Sequence, residues 1–230
     1  QEAVTALLGV LASGSPYVPL DPAYPEERLR FMLQDADVEV VLTTRALEAR
    51  VAELVEGSAR ILLLEDAFAT TPVAAQLPIP SPEATAYLLY TSGSTGRPKA
   101  VVQTHANLLE QASRYAPALH LDKEDRLAWL ASISFDASLM DIFGALVSGA
   151  ALAPVDARQI DLAQLPAIIA DKRLSVLHVT PTVFRSLSRV AATGAFPTIR
   201  AVVLGGEPVR PEEIAFFDER FDPEAILYNL

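Results

Sequence analysis

From Val38 onward the chain alternates short apolar runs with longer stretches whose apolar residues recur at helical spacing. Runs of strand length lie at Val38 to Leu42, Ile61 to Leu64, Leu127 to Leu130, Ala150 to Val155, Leu174 to Val179, Ile199 to Leu204 and Ala225 to Leu230. Helical patterns separate them at Leu47 to Val55, Asn107 to Tyr115, Leu139 to Val147, Leu162 to Ala170, Pro181 to Val190 and Pro211 to Phe217. Continuously apolar strands joined through helices demand a mostly parallel sheet, because helices must cover both of its faces. The expectation is an α/β protein with two mostly parallel sheets flanked by helices, doubly wound.

Two helices precede this pattern. One runs from Glu2 to Ala12 and stops near Gly14, a plausible C-cap. The other opens at Pro25, carries Glu26 and Glu27 at its positive end and buries Leu29, Met32 and Leu33. Pro19 and Pro22 keep the intervening segment extended. Pro72, Pro78, Pro80 and Pro82 mark a connector over 71–85, which divides the chain into a first α/β portion, 1–70, and a second, 86–230. The first helix lacks a preceding cap, and the run ending at Leu230 lacks a turn, so the sequence reads as part of a longer protein.

Composition removes several function classes. The chain has 230 residues and a net charge of −11, which argues against nucleic acid as a partner, since phosphate backbones need a basic face. An anionic ligand must be held by local features. There is no cysteine, hence no disulfide, thiol nucleophile or cysteine metal site. The three histidines, His105, His120 and His178, lack the spacing of zinc ligands. No apolar run is long enough to span a membrane and no signal peptide opens the chain, so a cytoplasmic location is expected.

One stretch stands out chemically: Thr91-Ser92-Gly93-Ser94-Thr95-Gly96-Arg97-Pro98-Lys99. Apolar Ala86 to Tyr90 enter it, and Ala100-Val101-Val102 leave it. Glycines let backbone approach a ligand closely, and successive N–H groups there can form an anion-binding nest. The Walker loop is a poor fit, because its lysine opens a helix. Here Pro98 and the following valines favour a strand. The stretch reads as a strand–loop–strand phosphate cradle, with a solvated surface turn as the bland alternative.

Ligands of parallel sheets collect at the carboxyl ends of the strands. Unusual residues sit at four such ends: the Thr91 loop, Phe135-Asp136, His178 to Pro181, and Gly205-Gly206-Glu207. Their convergence on one crevice is the central structural expectation. Asp136 is either a helix N-cap or a carboxylate facing an apolar crevice, where it would need a cation such as a substrate ammonium. Gly205-Gly206 is either a turn or a platform against which a flat ring can lie. His178 reads as pocket lining, His105 as the start of a helix, and Trp129, Phe216 and Phe217 as core.

Tyr90 to Lys99 resembles the phosphate-binding signature of the adenylate-forming superfamily. Leu7 to Gly14 running into Tyr17 to Pro25, Phe135-Asp136-Ala137-Ser138, Gly205-Gly206-Glu207 and Tyr228-Asn229-Leu230 are similar, in order, to further motifs of one branch. That branch is the amino-acid-activating adenylation domain of nonribosomal peptide synthetases, and the resemblance spans the chain. It implies the incomplete core of the large N-terminal subdomain, with the C-terminal lid subdomain absent.

The implied activity joins an amino acid to AMP from Mg-ATP with release of pyrophosphate. The acyl group then passes to the phosphopantetheine thiol of a peptidyl carrier protein. Neighbouring synthetase domains and a small MbtH-like helper are further implied partners. The resemblance assigns the phosphates to Thr91, Ser92, Gly93, Ser94, Thr95, Gly96 and Lys99, and the adenine side to Gly205, Gly206, Glu207, Pro208 and Asn229. It assigns the amino acid to Asp136, whose carboxylate would meet the α-ammonium, and to Ala137, Met140, His178, Val203, Gly205 and Leu230 around the side chain. The lining suggests a medium or large side chain with a polar group meeting His178.

Ala100 replaces the family's usual glycine, and Ser15-Pro16 its usual small pair. The magnesium-binding glutamate, ribose-binding aspartate and C-terminal lysine of the family have no counterpart in these residues. The Mg2+ ligand is therefore expected beyond Leu230, and these residues alone should not complete catalysis. Two other readings remain: an acyl- or aryl-CoA ligase of the superfamily, and a non-catalytic nucleotide-binding module.

Overall fold

The computed structural model describes residues 2–70, 77–92, 97–156, 160–192 and 194–230. The chain divides into two compact units, Gln1–Leu108 and Leu109–Leu230.

In the first unit, α1 (Glu2–Ala12) ends where Gly14 adopts φ 81°, the left-handed cap that glycine supplies without strain. α2 (Glu26–Asp35) follows Pro25 and buries Leu29, Met32 and Leu33, as its apolar stripe requires. β1 (Val40–Thr43) pairs in parallel with β2 (Arg60–Leu63) across α3 (Glu48–Val55). At Leu64 the apolar run leaves the strand and enters α4 (Leu64–Ala69), whose first turn carries Glu65 and Asp66. The apolar run by itself extends the strand through Leu64. Two carboxylates at the positive end of a helix dipole favour the helix there.

β3 (Thr85–Ser92) and β4 (Pro98–Thr104) form a separate antiparallel pair, with Tyr90 opposite Ala100 and Thr91 opposite Lys99. Pro98 thus opens a strand and not a helix, as its restriction on the preceding residue favours. The extended segment near Tyr17 docks on β3: Tyr17 N–H donates to Ala86 O and Leu88 N–H to Tyr17 O. Gly93, Ser94, Thr95 and Gly96 lie outside the described residues, as do 71–76 of the connector.

α5 (His105–Ala118) runs from the first unit into the second. The second unit is built on one parallel five-stranded sheet of order β6-β5-β7-β8-β9. Its strands are β5 (Arg126–Trp129), β6 (Ala151–Pro154), β7 (Val176–Val179), β8 (Ala201–Leu204) and β9 (Ile226–Asn229). The helices between them are α6 (Asp136–Ser148), α7 (Leu165–Lys172), α8 (Pro181–Ser188) and α9 (Pro211–Arg220).

Side chains alternate across a strand, so each strand feeds two cores. On one face Leu127, Val176, Ala201 and Val203 pack with Tyr115 of α5, Leu119 just after it, and Ala145 of α6. On the other Ala128, Leu177, Val179, Val202 and Leu204 pack with Leu165, Ile169, Phe184, Leu187, Phe216 and Phe217 of α7, α8 and α9. Trp129, expected in the core, is only half-buried and donates from Nε1 to Ser138 Oγ at 2.7 Å. At the amino-terminal end of the sheet, Arg200 donates to Asp125 and to the carbonyls of Leu119 and His120.

Candidate functional site

The order β6-β5-β7 places successive strands on opposite sides of β5. A parallel sheet has its ligand crevice where the winding reverses, outside the carboxyl ends of the strands. Here that point lies between β5 and β7. Their ladder pairs only Leu127 with Val176 and Ala128 with Leu177, whereas β7 stays paired with β8 through Val179 and Leu204. The strands therefore part at the level of His178.

Three of the four expected strand ends meet this edge of the sheet. After β5 the chain reaches Asp136, the first residue of α6, while Phe135 occupies the N-cap position without a side-chain bond. Asp136 is thus not the N-cap. Its Oδ1 accepts from Ala137 N–H at 2.8 Å, and the residue stays exposed at the positive end of α6. Helical spacing sets Met140, four residues on, beside it, with Ala137 next in the chain, and Met140 packs against the Tyr115–Val203 cluster.

His178, on β7, sits in register with Val203 of β8, which pairs in turn with Tyr228 of β9. Gly205 closes the group. A Cβ there would stand 3.7 Å from His178 Nε2 and 3.7 Å from Leu230 Cβ. Leu230 is held in place by its N–H, which donates to Leu204 O at 2.9 Å. Val203, Gly205, His178 and Leu230 therefore adjoin one another, with Met140 on the same face. The fourth end, at Thr91 and Lys99, belongs to the other unit.

On the adenine-side segment, Gly206 takes φ 80°, open to glycine. Pro208 is exposed, and Asn229 ends β9 opposite Leu204. The Glu207 carboxylate is engaged elsewhere: Oε2 accepts from Thr182 N–H at 3.1 Å and from the Thr182 hydroxyl. It thereby satisfies a free donor at the start of α8. Arg185 lies 3.8 Å from it and also binds buried Glu213.

Sequence reasoning missed Asp141 and Tyr115. The Tyr115 hydroxyl donates to Asp141 Oδ1 at 2.9 Å, and His178 Nδ1 lies 2.9 Å from the same oxygen and 3.4 Å from the hydroxyl. Asp141 is 1% exposed, and its Oδ2 is buried without a hydrogen bond. Burial pushes the Asp141 carboxyl up, although the charge and hydrogen bond of His178 and the Tyr115 hydroxyl pull the other way. Burial would lower His178, yet Asp141, with the charge of Asp136 beyond it, holds the imidazole above the usual histidine range. Burial first, then the Asp141 charge and hydrogen bond, raise Tyr115, so it remains a donor. A carboxylate on the inward stripe of an otherwise apolar helix was the available signal.

No group of three His, Cys, Asp or Glu side chains that could hold a metal ion occurs among the described residues. No helix among them is long and apolar enough to cross a membrane.

The profile of the family described as AMP-binding enzyme matches residues 1–230. The chain belongs to that family. It is 37% identical to surfactin synthase subunit 2 of Bacillus subtilis (strain 168), over 99% of this chain and 6% of that protein. It is 36% identical to syringomycin synthase SyrB1 of Pseudomonas syringae pv. syringae, over 99% of this chain and 37% of that one. Among solved structures, the nonribosomal peptide synthetase FmoA3 bound to alpha-methyl-L-serine-AMP superposes with a TM-score of 0.88 at 25% identity, over 99% of this chain and 26% of that one. The N-terminal subdomain of Klebsiella oxytoca NpsA with 3-hydroxybenzoyl-AMSN gives 0.83 at 25% identity, over 99% and 56%. This member of the AMP-binding enzymes thus has the α/β fold of a synthetase adenylation domain's N-terminal subdomain, and spans a minor part of the curated relatives it matches.

Proposed function

We propose that this chain is part of an amino-acid-adenylating enzyme of nonribosomal peptide synthesis. The observation that carries the reading is Asp136, an exposed carboxylate beside the switch-point group of Met140, His178, Val203, Gly205 and Leu230. A carboxylate there pairs with an α-ammonium, and the neighbouring side chains receive the substituent. The substrate carboxylate attacks the α-phosphorus of ATP, forming the acyl–phosphate bond and releasing pyrophosphate. Orientation of that carboxylate and neutralisation of phosphate charge supply the catalysis. Asp136 serves the first. Lys99, at the start of β4, and the Thr91 to Gly96 segment serve the second.

FmoA3 has also been solved with AMPPNP bound, which supports ATP as the nucleotide. Gly205 and Gly206 present backbone to the adenine ring, since the Glu207 side chain is committed to Thr182. The magnesium that accompanies ATP is assigned no ligand among these residues. The synthase relatives support a phosphopantetheinyl carrier as acceptor and neighbouring synthetase domains, with a small MbtH-like helper as a further partner.

A second reading, an aryl-acid ligase, draws on NpsA, whose solved complex holds 3-hydroxybenzoyl-AMSN. Asp136 disfavours it, because an aryl acid lacks the ammonium that would pair with that carboxylate. ATP–pyrophosphate exchange by the protein that carries this sequence, run with amino acids and with aryl and fatty acids, separates the readings. Exchange with an α-amino acid supports the proposal, and exchange only with acids lacking an α-ammonium overturns it. No exchange with any acid would favour a non-catalytic nucleotide-binding module.

A further inference from the structure

We propose that His178, clamped from behind by Asp141 and Tyr115, presents Nε2–H into the side-chain pocket as a hydrogen-bond donor. It thereby selects α-amino acids whose side chain carries an oxygen acceptor: a carboxylate, a carboxamide or a hydroxyl. The selection rests on the proposed amino-acid adenylation. The clamp does not.

The two ring nitrogens face different surroundings. Nδ1 points into the protein, 2.9 Å from Asp141 Oδ1. Nε2 adjoins Gly205, 3.7 Å from the position of an absent Cβ, and makes no hydrogen bond to a described residue. It is not among the buried unpartnered side-chain atoms either, so it remains open to a ligand. Glycine at 205 is what leaves room for an atom to reach it.

Proton bookkeeping then fixes what Nε2 is. Asp141 and His178 share one hydrogen in the Oδ1–Nδ1 bond. With that hydrogen in place, a pair of zero net charge has one more to hold, on Nε2 or on Asp141 Oδ2. Oδ2 is buried with no partner to accept from it, so the hydrogen belongs on Nε2, which a ligand can reach. Stripping Nε2 leaves a net negative pair in a buried site, with Asp136 adding a second negative charge nearby. The orphaned Oδ2 of Asp141 makes a lone carboxylate costlier still. The Tyr115 hydroxyl donates into Oδ1 and cannot take the proton away. Among the described residues, Tyr115 on α5 and Asp136 and Asp141 on α6 are the titratable side chains that bear on His178. Asp141 and Tyr115 are positioning residues, and His178 is the one that touches the substrate.

Asp141→Asn separates this role from a structural one. Asparagine accepts from Nδ1–H without supplying charge, so neutral His178 then carries a bare, accepting Nε2. Nitrogen NMR of the intact protein, with His178 assigned by its loss in H178Q, should show Nε2 protonated at pH 7.5 in the wild type and unprotonated in D141N. An unprotonated wild-type Nε2 overturns the proposal. In pyrophosphate exchange, the best substrate should bear a side-chain oxygen acceptor. D141N should lower its kcat/KM about tenfold at pH 8, mainly through KM, the size of one lost charged hydrogen bond. The deficit should shrink below about pH 6, where an ordinary histidine is protonated, and D141E should restore part of the neutral-pH activity. A loss equal at every pH, or a best substrate with a purely apolar or ammonium-bearing side chain, overturns the proposal. Failure of every amino acid to exchange, with Nε2 protonated as expected, overturns the proposed function and the selection while the clamp stands.

Discussion

A Cβ built on Gly144 of α6 would stand 2.6 Å from Cδ1 of Tyr115 on α5. Glycine at this position lets the tyrosine ring lie against α6, which carries its hydroxyl to Asp141. The ring is 4% exposed and has little freedom to give way. Gly144→Ala should therefore cost about 1–3 kcal/mol of stability through overpacking, despite alanine's better helix propensity. Urea unfolding measures the cost, and a stability gain would show that Tyr115 moves aside freely.

Asp136 should matter to substrate far more than to folding. It is exposed, and among the described residues its carboxylate accepts from the adjacent Ala137 N–H alone. Asp136→Ala is expected to raise the KM of the amino acid in pyrophosphate exchange at least about tenfold, as loss of a charged partner implies. The urea midpoint should shift by less than about 1 kcal/mol equivalent. An unchanged KM would remove Asp136 from the ammonium site.

Arg200 and Asp125 tie the amino-terminal edge of the five-stranded sheet to the end of α5. Asp125 is 4% exposed and also accepts from Ser175 Oγ at 2.7 Å. Removing the guanidinium with Arg200→Ala leaves that carboxylate short of its cation. A cost of about 2–4 kcal/mol is expected, below that of a fully enclosed pair because Arg200 is partly in water. Chemical denaturation of R200A against wild type checks it.

Acid should unfold the second unit through Asp125 and Glu213. Burial works to raise Asp125, yet Arg200, Ser175 and the Asp122 N–H hold it below its ordinary 3.8. Burial likewise opposes Glu213, which the Arg210 N–H and Arg185 hold below 4.5. A lowered folded pKa gives stability that is complete above the unfolded value and is lost as pH falls through the folded one. Stability should hold near neutrality and decline from about pH 4.5 downward. In Glu213→Gln the decline should be shallower and the neutral-pH stability lower.

Glu207 should prove structural at its side chain. Its carboxylate binds both the N–H and the hydroxyl of Thr182 at the start of α8. Glu207→Ala should cost about 1 kcal/mol, the usual worth of a helix-start acceptor. The KM for ATP should change less than it does when bulk is added at Gly205 or Gly206. A larger ATP effect from E207A would return the side chain to the adenine site.

Much of this was legible along the chain. Apolar runs of strand length separated by helical stripes dictated parallel sheets covered by helices, because both sides of such strands must leave water. Pro98 barred a helix after the glycine-rich stretch, and β4 follows as that restriction requires. Leu64 begins α4 although it continues an apolar run, since a single apolar residue fits a strand end and a helix start equally well. Asp136, His178 and Gly205 were visible because they interrupt apolar runs where strands end.

Tertiary structure decided the rest. Strand order is not written in local pattern, so the reversal at β5 and the parting of β5 from β7 appear only after folding. Asp141 and His178 are 37 positions apart in sequence and Tyr115 and His178 63 apart, yet they share hydrogen bonds. By itself the sequence determined which residues must be buried and which break regular structure, since burial and backbone sterics act residue by residue. Only the folded sheet determined which polar groups face one another, because that depends on helices and strands brought together from distant parts of the chain.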